Sequence, residues 1–186
     1  MQKQNKTTAL VECAVMVALA TVLSMIKVYQ MPLGGSITAL SMLPICLFSL
    51  RWGTGWGLVA GGLHALVQMG LDLGAVVGWG LSPVALVGCI VLDYLLAFTL
   101  LGLAGVFRKK GKWGMFFGIL LAMALRFACH LASGTLIFDI WLPEEWTNPF
   151  LYSVCYNGSF MLPELILTAL GAFALLKAPA VWKKKG

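Results

Sequence analysis

Apolar runs of bilayer-crossing length follow one another almost without a break, and the charged residues collect in the short gaps between them. A helix needs roughly 20 apolar residues to cross the hydrocarbon core. Six segments meet or approach that need: residues 8–28, 38–50, 55–73, 83–107, 113–140 and 149–181. The second is short, and a short span crosses by tilting or by thinning the bilayer. Only 11% of residues are charged and 60% are hydrophobic, whereas soluble domains carry roughly 25% charged residues. A chain this apolar cannot cover itself with polar surface. The expectation is an all-α integral membrane protein, a bundle of six transmembrane helices forming one domain over residues 1–186. The basic start runs into apolar sequence without a small-residue cleavage site, so the first span reads as retained.

Charge placement orients the bundle. Of 13 Lys and Arg residues, eleven fall on one side if the spans alternate. They are Lys3, Lys6, Arg51, Arg108, Lys109, Lys110, Lys112, Lys177, Lys183, Lys184 and Lys185. The opposite loops hold Asp72, Asp139, Glu144 and Glu145. The positive-inside rule then puts both termini in the cytoplasm. Trp52, Trp113 and Trp182 fall at the inner interface, and Trp79, Trp141 and Trp146 at the outer one. Basic residues confined to short loops argue against a nucleic-acid surface, despite a net charge of +6. Cys13, Cys46, Cys89, Cys129 and Cys155 stand singly in apolar runs and read as small core residues, with no metal site implied.

Catalytic motifs are missing from the sequence. GVFRKKGK, from Gly105, has one residue too many between its glycines for a phosphate loop, and Trp113 stands where Ser or Thr is required. No catalytic residue is assigned.

Ionisable groups in a membrane usually face a bundle interior, so each is a functional candidate. This chain places Glu12, His64, Asp93, Arg126, His130 and Glu164 in its spans, with Gln68 and Asn157 as buried amides. At a rise of about 1.5 Å per residue, Asp93 lies roughly 15 Å, and His130 and Asn157 roughly 12 Å, below the outer ends of their helices. Three polar groups from three helices thus share one level, near Tyr94, Tyr152 and Tyr156. Arg126, His130, Ser133 and Gly134 form one stripe of the fifth helix, and Gly134 leaves room there for close approach to the backbone. Blander roles also fit single residues: a structural Asp93–Arg126 ion pair, His130 and His64 as core residues, Glu164 bracing the turn at Pro163, and Glu12 facing a partner or the inner interface. None of them accounts for three polar groups at a common depth. One carboxylate, an imidazole, an amide and phenols, with Phe138, Trp141 and Trp146 at the mouth, suit a small, flat, nitrogen-rich cation. Ala14 and Ala18, four apart on the first helix, offer a small-residue face for another helix.

The chain resembles the thiamine-specific substrate-binding subunits (S components) of energy-coupling factor transporters. MPLGGSITALSMLPICLFSLRWG from Met31, VLDYLLAF from Val91, LRFACHLASG from Leu125 and YSVCYNGSFMLP from Tyr152 carry the likeness. The resemblance implies six helices in a bacterial plasma membrane and a thiamine pocket near the outer face. A loop around residues 31–36 closes over that pocket. It also implies ligand contacts from Asp93, Tyr94, Arg126, His130, Gly134, Tyr152 and Asn157. Phe138 stands where the family carries a stacking Trp, and Trp141 is positioned to replace it. Asp93 is shorter than the Glu that occurs there. The family's AxxxA feature, here Ala14 and Ala18, contacts a transmembrane coupling subunit that works with two ATPase subunits. No cofactor is implied, since thiamine is the cargo. A membrane-embedded enzyme with an Asp93–His130 acid–base pair, an S component for another vitamin, and a stand-alone carrier of a small cation remain alternatives.

Overall fold

The computed structural model describes residues 6–31 and 34–178. Lys3, Pro32, Leu33, Val181, Trp182, Lys183, Lys184 and Lys185 therefore lie outside the described residues. Helix α1 (Lys6–Met25) buries Ala9, Cys13, Val17, Ala20 and Ser24 and exposes Leu10, Val11, Val15, Leu19 and Val22. Both faces are apolar; the inward one is distinguished by small side chains, which permit close helix packing in a membrane.

After α1 the chain departs from the all-α expectation. It forms an antiparallel hairpin of β1 (Lys27–Gln30) and β2 (Ser36–Thr38), paired Lys27 with Thr38, Tyr29 with Ile37 and Gln30 with Ser36. Gly34 (φ 87°) and Gly35 (φ 65°) adopt the left-handed conformations the reversal requires. Residues 26–28 and 38, expected inside spans, thus belong to or border the hairpin. The second apolar segment contracts to α2 (Leu43–Trp52), ten residues that are almost entirely buried.

Helix α3 (Thr54–Gly78) runs five residues beyond its expected end. Helix α4 (Pro83–Cys89) starts at Pro83, with the Ser82 hydroxyl accepting from the Ala85 N–H at 3.3 Å. It continues as a π-helix over Ile90–Leu96, a short α5 (Ala97–Thr99) and a 3₁₀ segment over Leu100–Lys110. Gly111, at φ 73°, redirects the chain into α6 (Gly111–Leu136), which packs along the segment before it. A 3₁₀ turn (Phe138–Trp141) ends the fifth expected span early. Helix α7 (Pro149–Leu176) is capped by Asn148 Oδ1, which accepts from the Leu151 N–H at 3.1 Å.

Lys6–Met25, Thr54–Gly78, Pro83–Leu136 and Pro149–Leu176 are long and apolar enough to cross a membrane, and Leu43–Trp52 is a shorter apolar helix. At the basic end, Arg51 Nε meets Glu12 Oε1 at 3.1 Å, and Arg108 Nη1 donates to the Arg51 carbonyl at 3.1 Å. Glu12 thus braces α1 against α2 at that end. Cys155 is exposed, contrary to its expected core role; the other four cysteines are buried.

Candidate functional site

A cavity of about 710 Å³ opens where the hairpin, α3, the π-helical segment, α6 and α7 meet. Pockets for small ligands span roughly 300–1,000 Å³. Asp93, Tyr94, Arg126, His130, Gly134, Phe138, Tyr152 and Asn157 all line it. Trp141 does not line it; its ring packs behind the wall, 6.5 Å from Trp79 and 5.4 Å from Phe138 between centroids. Trp79, expected at the outer interface, lines the cavity in its stead, edge-on to Phe138 at 5.7 Å.

Asp93 projects from the π-helical segment. Such i→i+5 turns are rare and recur at functional sites, because they re-aim side chains within an otherwise regular rod. Its carboxylate is held from α6 on both oxygens: Oδ1 lies 2.7 Å from His130 Nδ1, and Oδ2 accepts from the Ser133 hydroxyl. A carboxylate partner at Nδ1 favours a proton on that nitrogen and leaves Nε2 as the ring's other polar atom. His130 Nε2 has no hydrogen-bond partner among the described residues.

Asn157 joins this group from α7. Its Nδ2 donates to the His130 carbonyl at 3.3 Å and to Ser153 O and Oγ at 3.0 and 3.1 Å. That convergence needs Gly134. A Cβ there would collide with Ser153 Oγ and lie 3.0 Å from Asn157 Nδ2. The room at Gly134 is therefore taken by α7 side chains that belong to the same wall.

The alternative Asp93–Arg126 ion pair does not form. Arg126 Nη1 reaches Met42 Sδ at 2.9 Å, and its guanidinium stacks 4.2 Å from the Phe98 ring centroid. His64, fully buried, packs edge-on to the same ring at 5.1 Å, with Nδ1 3.5 Å from Thr21 Oγ1. It does not line the cavity, in keeping with its core reading. Tyr94 donates to Asp72 Oδ2 at 3.3 Å, which brings a second carboxylate to the cavity wall.

Tyr152, Tyr156 and Phe160 form a ladder on α7, with centroids 5.9 and 6.2 Å apart, and Trp146 abuts Tyr152 at 5.4 Å. Tyr156 donates to the Gly34 carbonyl at 3.3 Å, tying this ladder to the hairpin. Glu164 does more than brace a turn: Oε2 accepts from the Thr38 N–H at 2.7 Å and Oε1 from the Thr38 hydroxyl at 2.8 Å. One buried carboxylate thus pins the base of the hairpin to α7.

Sequence reading missed Trp79, Asp72, Phe98 and the hairpin residues Lys27 and Gln30 among the lining groups. Gln68, noted as a buried amide, also lines the cavity and accepts from the Ser24 hydroxyl at 3.1 Å.

Apolar outward-facing helices around an aromatic, acid-bearing cavity of ligand size define a membrane protein built to hold a small polar molecule. The chain belongs to the thiamine transporter protein family (Thia_YuaJ), whose model matches residues 10–183. It is 33% identical over 184 residues to the thiamine transporter ThiT of Bacillus subtilis strain 168, covering 91% of each chain. It is 27% identical over 205 residues to ThiT of Lacticaseibacillus paracasei, covering 100% of this chain and 95% of that protein. A solved structure of ThiT from Listeria monocytogenes shares the fold at a TM-score of 0.79 and 24% identity, covering 97% of this chain and 100% of that one. The family places the chain among membrane transport proteins, not enzymes.

Proposed function

We propose that this chain is the thiamine-capturing membrane subunit of an energy-coupling factor importer. In this reading six membrane-crossing segments enclose the cavity, both termini are cytoplasmic, and the hairpin end faces outside. The observation that carries it is the Asp93–His130–Asn157 group, in which a carboxylate locks an imidazole and a buried Nε2 is left free beside a cavity of ligand size. Membership of the thiamine transporter family supports thiamine as the cargo.

Each group then has a task. Asp93 and His130 accept from the amino group of the aminopyrimidine, and Asn157 holds the ring edge and the His130 backbone together. Tyr152 and Phe138 offer faces to the rings, and the aromatic wall with Asp93 favours the thiazolium charge. Tyr94 shapes the wall through Asp72. Arg126, stacked on Phe98, closes the floor, and Gly134 admits the α7 side chains. Trp141 supports Trp79 and Phe138 from behind the pocket. Capture of this kind needs no cofactor; the energy for release comes from partner ATPases through a coupling subunit. Ala14 and Ala18, exposed on α1, provide the small-residue face for that subunit.

Purified protein should bind thiamine stoichiometrically, quench tryptophan fluorescence and return the vitamin chemically unchanged. Accumulation in proteoliposomes should require the coupling and ATPase subunits with ATP. Conversion of thiamine would instead indicate an enzyme, and ATP-independent uptake by the chain alone a stand-alone carrier.

A further inference from the structure

A second, smaller cleft of about 210 Å³ lies at the opposite, basic end, between the start of α6 and the end of α7. It is bordered by Lys112, Trp113, Phe116, Phe173, Leu176 and Lys177. Nothing in the transport reading uses it.

Its chemistry divides in two. The walls are aromatic: Trp113 is 67% exposed, Phe173 is 48% exposed, and the Trp113 and Phe116 rings meet edge-on at 6.3 Å. The same helices stay apolar and exposed towards the bilayer interior, at Phe117 and Leu170. The rim is cationic. Lys177 Nζ sits 4.5 Å from the Phe173 ring centroid, and Arg108, Lys109 and Lys110 lie just before α6. Neither Lys112 nor Lys177 forms an ion pair among the described residues. The carboxylate of Glu12, at the same end of the bundle, is already engaged by Arg51. Two ammonium groups without a carboxylate partner among the described residues, beside a slot walled by exposed aromatic rings, match a ligand with an anionic head and a hydrocarbon tail. Basic pockets between transmembrane helices hold acidic lipid headgroups on these terms.

We infer that the Lys112–Lys177 cleft binds an acidic phospholipid, with the headgroup phosphate between the two lysines and one acyl chain along Trp113, Phe116 and Phe173. The lipid would tie the ends of α6 and α7 together at the membrane surface, at the far end of the bundle from the thiamine cavity. The inference does not depend on what that cavity holds.

Native mass spectrometry of the full-length protein, with phosphatidylglycerol or phosphatidylcholine of matched acyl chains, tests it. One phosphatidylglycerol should stay bound at detergent concentrations that strip phosphatidylcholine. Lys112→Gln combined with Lys177→Gln should weaken that retention by about tenfold or more. Lys109→Gln combined with Lys110→Gln removes the same charge beside the cleft and should leave retention within about twofold. Circular dichroism and monodisperse elution confirm that both variants are folded. Equal retention of the two lipids would overturn the proposal, as would equal loss in both variants. Inorganic phosphate displacing phosphatidylglycerol at comparable concentration would also overturn it, since the cleft would then recognise a free anion.

Discussion

Gly134 shows how much one residue can decide. The hydrogen bonds joining Asn157 to Ser153 and to the His130 carbonyl occupy the space a side chain would fill. Gly134→Ala is expected to lower stability by about 1–3 kcal/mol through overpacking and to weaken thiamine binding as Asn157 is displaced. Gly74→Ala is the control: it sits inside α3 with nothing near its added Cβ, where Ala favours the helix by up to about 1 kcal/mol over Gly. Thermal unfolding and calorimetry on both variants separate the two cases. A Gly134→Ala protein with unchanged melting and affinity would contradict the packing described here. The polar residues of this wall were legible from sequence, because apolar neighbours make every buried charge conspicuous and helix rise converts position into depth. Arg126 was legible as buried but not as a cation stacked on Phe98, since its partners, Met42 and Phe98, are apolar residues from distant segments.

At the scale of elements, the hairpin and the π-helical segment do the positioning, and neither announces itself in the sequence. The apolar run of α1 continues through Ile26 and Val28 without a helix stop, and all four residues of β1 are exposed, so no inside–outside alternation marks a strand. Residues 90–96 contain neither Gly nor Pro, so the wider turn that presents Asp93 leaves no local signature. Glu164 illustrates the converse. It was conspicuous as a membrane carboxylate beside Pro163, but its partner Thr38 lies 126 residues away and only the folded chain joins them. An amide keeps one acceptor oxygen for the Thr38 N–H but forces the Thr38 hydroxyl to turn from donor to acceptor and to donate to Ser41 Oγ, 2.6 Å away, instead, which weakens the junction by about 1–2 kcal/mol. Glu164→Gln should therefore loosen the hairpin over the cavity and speed thiamine release by roughly tenfold, with little change in the association rate. Stopped-flow tryptophan fluorescence reads both rates. Thr38→Ser, which keeps both donors, should release thiamine like the wild type, and an unchanged release rate in Glu164→Gln would remove the latch from the account.

For the whole molecule, the proposed function requires the cavity end and the basic end to lie on opposite sides of the membrane. Cysteine scanning in a Cys155→Ser background tests this, since the other four cysteines are buried. A membrane-impermeant maleimide added to intact cells should label Glu145→Cys at once and Lys110→Cys only after permeabilisation. The reverse order would turn the cavity toward the cytoplasm and overturn the import reading. The apolar character of the whole was plain from the sequence; the division of Pro83–Leu136 into two arms at Gly111 followed from the basic cluster around it. What sequence could not supply was the enclosure, because a cavity is made by elements that meet only in three dimensions.

The central claim is that a carboxylate, an imidazole and an amide from three separate segments hold thiamine in one cavity. Isothermal titration of thiamine into the wild type, Asp93→Ala and Asn157→Ala tests it most directly, with thermal unfolding run alongside to confirm folding. Both substitutions should weaken binding at least tenfold, or about 1.4 kcal/mol, in proteins that still unfold cooperatively. Folded variants that bind thiamine as tightly as the wild type would place the vitamin elsewhere and contradict the account.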